Sequence, residues 1–149
     1  IDKYVFGMQS ASRKFNFAYR TMAEFIDQYI AGVEHTMRRL VALLGEGGSP
    51  HKCKPNFYYY HLLMQVRLYY PDADKKINEI FMQDYEVWRT AIKAAKESGE
   101  LRQDLDVDDS AMLFRQMFFG LSFEQAFLKG LDTRLLSNKL HFIYSLLKA

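Results

Sequence analysis

The sequence predicts an all-α fold, a helical bundle of about five to six helices, on two observations. Strand signals are nearly absent. Apolar residues instead recur with i, i+3 and i+4 spacing in segments that glycines and prolines separate. The chain has 149 residues, of which 49% are hydrophobic, and this is enough for a single domain with a buried core.

The first predicted elements lie before Gly99. Residues 1–8 have helical spacing and are expected to be the tail of a longer linking helix. A long helix is predicted over residues 21–44, because Thr21 and Glu24 form a capping box at its start. A second helix is predicted over residues 57–70, with Asn56 as its cap and Pro71 after its end. A third follows from a cap at Asp72 or Asp74 and ends at Gly99.

Two more helices complete the chain, one over residues 107–129 after a cap at Asp106, the other over 132–147. On a helical wheel the first of them has one narrow polar stripe, formed by Arg115, Ser122 and Lys129, and is otherwise largely apolar. A helix packed on one side needs an apolar arc of only about 100°. Both helices are therefore predicted to be buried on two sides.

A second copy of the same two helices is the expected cover for the additional apolar faces, which predicts a homodimer with a four-helix interface. Gly120 in mid-helix is explained by close approach of two helices there. The alternative is that both helices lie at the centre of a monomer. The residues expected at the dimer interface are Phe119, Phe123, Phe127, Leu136, Leu140, Ile143 and Leu147.

Charge and cysteine content exclude several functions. The net charge of +2 gives no field strong enough for nucleic-acid binding by this segment. The single cysteine, Cys53, excludes an internal disulfide, and His51 with Cys53 offers only two metal ligands in a loop. No apolar run reaches the roughly 18 residues of a membrane span, so a cytoplasmic protein without membrane contact is expected.

The segment 99–106, GELRQDLD, followed by a helix containing Phe118-Phe119-Gly120-Leu121, resembles the C-terminal domain of the TetR family of bacterial transcriptional regulators. The resemblance implies one ligand-sensing and dimerisation domain over residues 1–149. It also implies that the helix-turn-helix DNA-binding domain of the family precedes this chain and is absent from it. Operator DNA is thus expected to bind only through that missing domain, and a bound effector is expected to release it.

In this family the effector lies among the helices that correspond to 21–44, 56–70, 72–98 and 107–129. The implied lining is apolar and aromatic, with His61 and tyrosine hydroxyls as polar anchors, and it suits a small apolar or aromatic effector. For each of these residues taken alone, plain core packing is the favoured explanation. The implied ligand-binding residues are Phe25, Tyr29, Tyr58, Tyr59, His61, Leu62, Leu63, Trp88, Ile92, Phe114, Met117 and Phe118.

Two other classes of function are alternatives for a helical chain of this kind. A bundle-type metalloenzyme needs Glu-x-x-His pairs, and no His lies three residues after a Glu. Phosphate-binding loops and nucleophile elbows are also absent from the sequence, so no enzyme, cofactor or metal is expected. The other alternative is a helical adaptor that binds a protein through the aromatic segment 57–70.

Overall fold

In the computed structural model, which describes residues 19–46 and 55–149, the chain forms an all-α bundle. No strand occurs in these two ranges, where the sole β feature is an isolated bridge between Leu101 and Lys148. The predicted helix at residues 1–8 and the pair His51 and Cys53 lie outside the described residues. The five described helices are α1 (Met22–Glu46), α2 (Pro55–Tyr69), α3 (Ala73–Glu97), α4 (Val107–Ala126) and α5 (Thr133–Leu147).

Three helices begin at side-chain caps. The Thr21 hydroxyl accepts a hydrogen bond from the Glu24 amide at 3.2 Å, as the capping box requires, but the Glu24 carboxylate accepts from Arg20 N instead of Thr21 N. The Asp106 carboxylate accepts from the Asp109 amide at 2.8 Å, which confirms the predicted start of α4. Asp132 caps α5 in the same way.

Two predicted caps are wrong. Asp72 precedes α3 but makes no side-chain cap bond, and its backbone lies in the left-handed region, with φ of 56°. Asn56 lies inside α2, one residue after its start, and its amide group is buried in a contact with α4. The predicted end of α4 at Lys129 is also three residues late, because a turn closed by the Gly130 amide on Gln125 O follows Ala126.

The segment after α3 is fastened to the end of the chain. Gly99 adopts a φ of +85°, which allows the amides of Glu100 and Leu101 to bond to Ala95 O and close the helix. Leu101 is then buried and forms its bridge with Lys148. Residues 99–101 therefore connect the end of α3 to the end of α5.

The interior consists of two apolar clusters. The larger one lies among α1, α3, α4 and α5 and is centred on Trp88. The smaller one lies between α2 and α3 and contains Tyr59, Leu63, Val66, Ala73 and Ile80. Because α3 contributes to both, it passes from one cluster to the other within the two turns between Ile80 and Trp88.

Part of the predicted dimer interface on α5 is wrong, because its residues are buried within this chain. Leu136 and Leu140 are fully buried in this chain's own larger cluster, and Ile143 is nearly so. A partner subunit has no access to these three side chains. Leu147 is half-buried against the same cluster. α5 thus has two apolar rows, an inward one with Leu136, Leu140, Ile143 and Leu147 and an exposed one with Phe142 and Leu146. The α5 residues predicted at the interface belong to the inward row.

Candidate functional site

Five of the predicted ligand-binding residues form the centre of the larger cluster. The Trp88 and Phe114 rings stack, with their centroids 4.6 Å apart and their planes 9° apart. Phe25 meets Trp88 edge-on at 5.0 Å, and Tyr29 lies 4.6 Å from it. Ile92 is fully buried beside them. These side chains pack directly on one another and form the central part of the apolar core.

The other predicted residues are distributed less compactly. Tyr59 and Leu63 are buried in the smaller cluster, with Leu62 half-buried against it. Met117 and Phe118 are half-buried against the larger cluster, and the Phe118 ring meets Tyr29 edge-on at 5.6 Å. Tyr58 is half-buried beside Phe57.

His61 does not lie in the interior. Its side chain is exposed, with its ring parallel to that of Phe57 at 6.4 Å. The expectation that it supplies a polar anchor within a cavity is corrected by this exposure. On α2 the inward positions are occupied by Tyr59, Leu63 and Val66, and residue 61 points away from that row because successive residues turn by about 100°.

The polar centre of the bundle is Asp84, which the sequence analysis missed. Its side chain is 6% exposed, and it accepts a hydrogen bond from the Tyr29 hydroxyl at 2.9 Å. Asp84 lies one turn from Ile80 and one turn from Trp88, at the junction of the two apolar clusters. A carboxylate at such a position is costly unless polar groups surround it.

A second set of polar groups from α2 and α4 lies next to Asp84. Burial raises the pKa of Tyr60 to about 12, a hydrogen bond with Ser122 opposes part of this rise, and the charge of Asp84 adds to it. Ser122, which the helical wheel placed on the narrow polar stripe of α4, is buried. Its carbonyl oxygen accepts from the Asn56 side-chain amide at 2.9 Å. Asn56, Tyr60, Asp84 and Ser122 thus connect α2, α3 and α4 at their meeting point.

Among the described residues of this junction, two buried polar atoms have no hydrogen-bond partner. They are the Asn56 Oδ1 atom, an acceptor, and the Trp88 Nε1 atom, a donor. Both side chains are at least nine-tenths buried. Leaving such a group unsatisfied typically costs about 1–3 kcal/mol. The site therefore contains one unsatisfied hydrogen-bond acceptor and one unsatisfied donor, together with a carboxylate and several aromatic rings. We define it as the junction site, formed by Tyr29, Asn56, Tyr60, Asp84, Trp88 and Ser122.

The sequence contains a signal for this site. On α3 the buried residues Ala73, Ile80, Trp88, Ala91 and Ala95 follow helical spacing, and Asp84 falls in the same row. An acidic residue at a core position is unusual enough to mark a functional group. By contrast, the inward orientation of Asn56 and Ser122 depends on how α2 meets α4, and no spacing within either helix indicates it.

A second feature is an exposed apolar face on the last two helices. Phe127 is 59% exposed, Phe142 59% and Leu146 56%, and Leu113 and Phe123 are also exposed. We call these five residues the α4–α5 face. Gly120 is also exposed on α4, and a Cβ atom placed on it would meet no atom of the described residues within 4 Å. Phe119 is half-buried against Phe81 on α3, with the two rings 5.0 Å apart.

Comparison with known proteins identifies no relative. No protein-family model matches this chain, and neither the curated proteins nor the solved structures include a match to it. Within the described ranges, no three His, Cys, Asp or Glu side chains group as a metal site would require. None of the helices described here is both long enough and apolar enough to span a bilayer.

Proposed function

We propose that this chain is the effector-binding and dimerisation domain of a TetR-like transcriptional repressor that releases DNA when a small apolar or aromatic effector binds. The resemblance in residues 99–106 supports the class. So does the role of that segment here, where Gly99 ends one helix, Asp106 starts the next, and Leu101 lies between them in the core.

The α4–α5 face is the observation that supports dimerisation most directly. Three of its side chains expose more than half of their surface, and they lie on two adjacent helices. Several large apolar side chains left exposed on neighbouring helices are typical of interfaces. Each large apolar side chain that becomes buried is worth roughly 1.5–3 kcal/mol. A two-fold arrangement would bring the same face of each subunit together.

Sedimentation equilibrium tests this part of the proposal. We expect the chain at micromolar concentration to have twice the 17.5 kDa mass of one copy. Phe142→Asp should shift the population to monomers, because it places a charge in an apolar interface. Thr90→Asp, which adds the same charge at an exposed position of α3, is the matched control and should stay dimeric. A wild-type chain that sediments as a single copy would refute dimerisation.

The junction site is the observation that supports effector binding. It combines aromatic walls with a few inward polar groups, which is the usual composition of a small-molecule site. Coupling to DNA requires an effector that binds two arrangements of the helices with different affinity. The test is operator release by a protein that carries both this chain and its DNA-binding domain. If every ligand that binds the chain leaves operator affinity unchanged, the repressor assignment fails.

A helical protein-binding adaptor is the second candidate, and an exposed strip at the end of α2 favours it. Leu68 is 70% exposed and Tyr69 74%, with Met64 and Tyr70 also exposed. A surface of this kind suits the apolar face of a partner helix. A chain that is monomeric and binds no small molecule, but loses a partner when Leu68 is changed to Ser, would support this candidate over the repressor.

A further inference from the structure

The outer side of α4 is a narrow exposed stripe. Leu113 is 45% exposed, Phe123 40% and Phe127 59%, and Gln116 and Gly120 are exposed between them. These five residues, which we call the α4 stripe, follow one another at intervals of three or four positions, so they lie within an arc of about 100°. Contacts with α3 and with the larger cluster bury or half-bury the other positions around the middle of the helix. The stripe therefore has the width that one further helix would cover.

Gly120 lies at the midpoint of the α4 stripe. Leu113 comes seven residues before it and Phe127 seven residues after it, which is about 10 Å along the helix in each direction. Because Gly120 has no side chain, a neighbouring helix can approach α4 most closely at this point. The stripe thus has a large apolar side chain at each end and a gap at its centre, so a second copy turned by 180° about Gly120 presents a matching surface.

The charge beside the stripe distinguishes the two directions that a second α4 helix can take. Glu124 is exposed four residues after Gly120, and Gln116 is exposed four residues before it. In a parallel arrangement, Glu124 would face the partner's Glu124, and like charges held together across an interface repel each other. In an antiparallel arrangement, Glu124 faces the partner's Gln116, whose side-chain amide can donate a hydrogen bond to the carboxylate. Charge complementarity therefore favours the antiparallel direction.

We propose that α4 crosses the α4 helix of a second copy of this chain in the antiparallel direction, with the two-fold axis at Gly120. This proposal rests on the proposed dimerisation and specifies its geometry. Leu113 then packs on the partner's Phe127, and the reverse contact follows from the symmetry. Phe127 also meets Phe57 of α2 edge-on at 5.7 Å. The partner's Leu113 is therefore one side chain away from α2, a helix that contributes to the junction site.

Cysteine cross-linking under mild oxidation tests the crossing. All variants carry Cys53→Ser, which removes the single native cysteine. A disulfide forms only between Cα atoms within about 7 Å of each other, so Gly120→Cys should link the two subunits at the axis. Leu113→Cys alone and Phe127→Cys alone should not link, because each residue lies about 20 Å from its own copy across the crossing. The double variant Leu113→Cys with Phe127→Cys should give at least tenfold more linked dimer than either single variant.

Thr90→Cys, at an exposed position of α3, is the control and should give no linked dimer. Sedimentation of the unaltered chain separates failure of the crossing from failure of dimerisation. If Leu113→Cys or Phe127→Cys links to its own copy, the helices are parallel, and the crossing is wrong while dimerisation stands. If the chain sediments as a dimer but none of the α4 variants links, the interface lies elsewhere and the crossing is again wrong. A chain that sediments as a single copy overturns both.

Discussion

Glu100 joins the start of one helix to the end of another through a single oxygen atom. Its Oε1 atom accepts a hydrogen bond from the Met22 amide at 2.8 Å and one from the Tyr144 hydroxyl at 2.7 Å. The first satisfies a backbone donor at the start of α1, and the second holds α5. The backbone around it adds two bonds to the same helix end, from Arg102 N to Leu147 O and from Ala149 N to Glu100 O. Glu100 thus fixes three segments that are distant in sequence.

The first prediction concerns this shared oxygen. Glu100→Gln should lower the free energy of unfolding by about 1–2 kcal/mol, because the charge that strengthens both bonds is removed. Tyr144→Phe should cost about 1 kcal/mol by loss of one bond. Urea unfolding measures both effects. The double variant should cost less than the sum, since the two changes remove one interaction in common.

The control for this prediction is Glu97→Gln. It is an exposed carboxylate near the end of the same helix and should change stability by no more than about 0.5 kcal/mol. Strict additivity of Glu100→Gln and Tyr144→Phe would show that the 2.7 Å contact contributes nothing to folding.

The second prediction separates the two apolar rows of α5. Leu140→Ala should cost about 2–5 kcal/mol at any protein concentration, because the side chain is fully buried within one chain. Phe142→Ala should leave the stability of the monomer nearly unchanged and weaken self-association instead. Thermal unfolding at two protein concentrations tenfold or more apart distinguishes the effects. A strong effect of Leu140→Ala on association alone would contradict the inward orientation of that row.

The third prediction uses Gly120, where the described residues leave open space around an added Cβ atom. Gly120→Ala should stabilise the monomer by up to about 1 kcal/mol through helix propensity, and it should raise the dimer dissociation constant by keeping two helices apart. Gly32→Ala on α1 is the matched control, because its added Cβ atom also meets no atom within 4 Å in the part of the chain that the structure describes. It should give the same gain in stability with no change in association. Equal behaviour of the two variants would remove Gly120 from the interface.

The fourth prediction concerns alkaline pH. The pKa of Tyr60 is raised to about 12, first by burial, and that of Tyr144 is raised to about 12 by burial and by its bond to Glu100. The unfolded chain therefore releases these protons first, near the ordinary tyrosine pKa of about 10. The stability they contribute is complete below pH 10 and is lost as the pH rises from 10 towards 12.

Tyr60→Phe isolates the contribution of the more buried of the two groups. One such group changes the free energy of unfolding by at most roughly 1.4 kcal/mol per pH unit within this window. The effect of Tyr144 should be smaller because solvent screens it. We expect guanidinium unfolding between pH 9 and about 11.5 to show a shallower decline for Tyr60→Phe than for the unaltered chain. Equal slopes would contradict the raised pKa of Tyr60.

Much of the fold follows from local patterns. Pro71, Gly99 and Asp106 act on the backbone of their own neighbourhood, so the helix ends beside them were predictable to within one or two residues. Asn56 and Asp72 have the right residue type for a cap but are used differently. Whether these two side chains cap a helix depends on tertiary contacts and on backbone conformation, and residue spacing along the chain specifies neither.

The site was predictable in part. Phe25, Tyr29, Trp88 and Phe114 were expected at inward positions of their helices from the family resemblance, and all four side chains are buried. Their proximity to Asp84, Tyr60 and Ser122 was not predictable. These three residues come from three helices, and the sequence does not specify how those helices are rotated relative to one another. His61 illustrates the converse, since the family resemblance implied a polar anchor inside a cavity and the side chain is exposed.

By itself the sequence determined that the chain is helical, where most helices begin and end, and that the last two helices have more apolar surface than one packing face needs. Tertiary structure alone decided which apolar row of α5 enters the core, and that Asp84 lies where two clusters meet. The physical reason is the range of the interactions. Capping, helix propensity and amphipathic spacing act over one or two turns, whereas burial of a side chain depends on which helices pack around it and at what rotation.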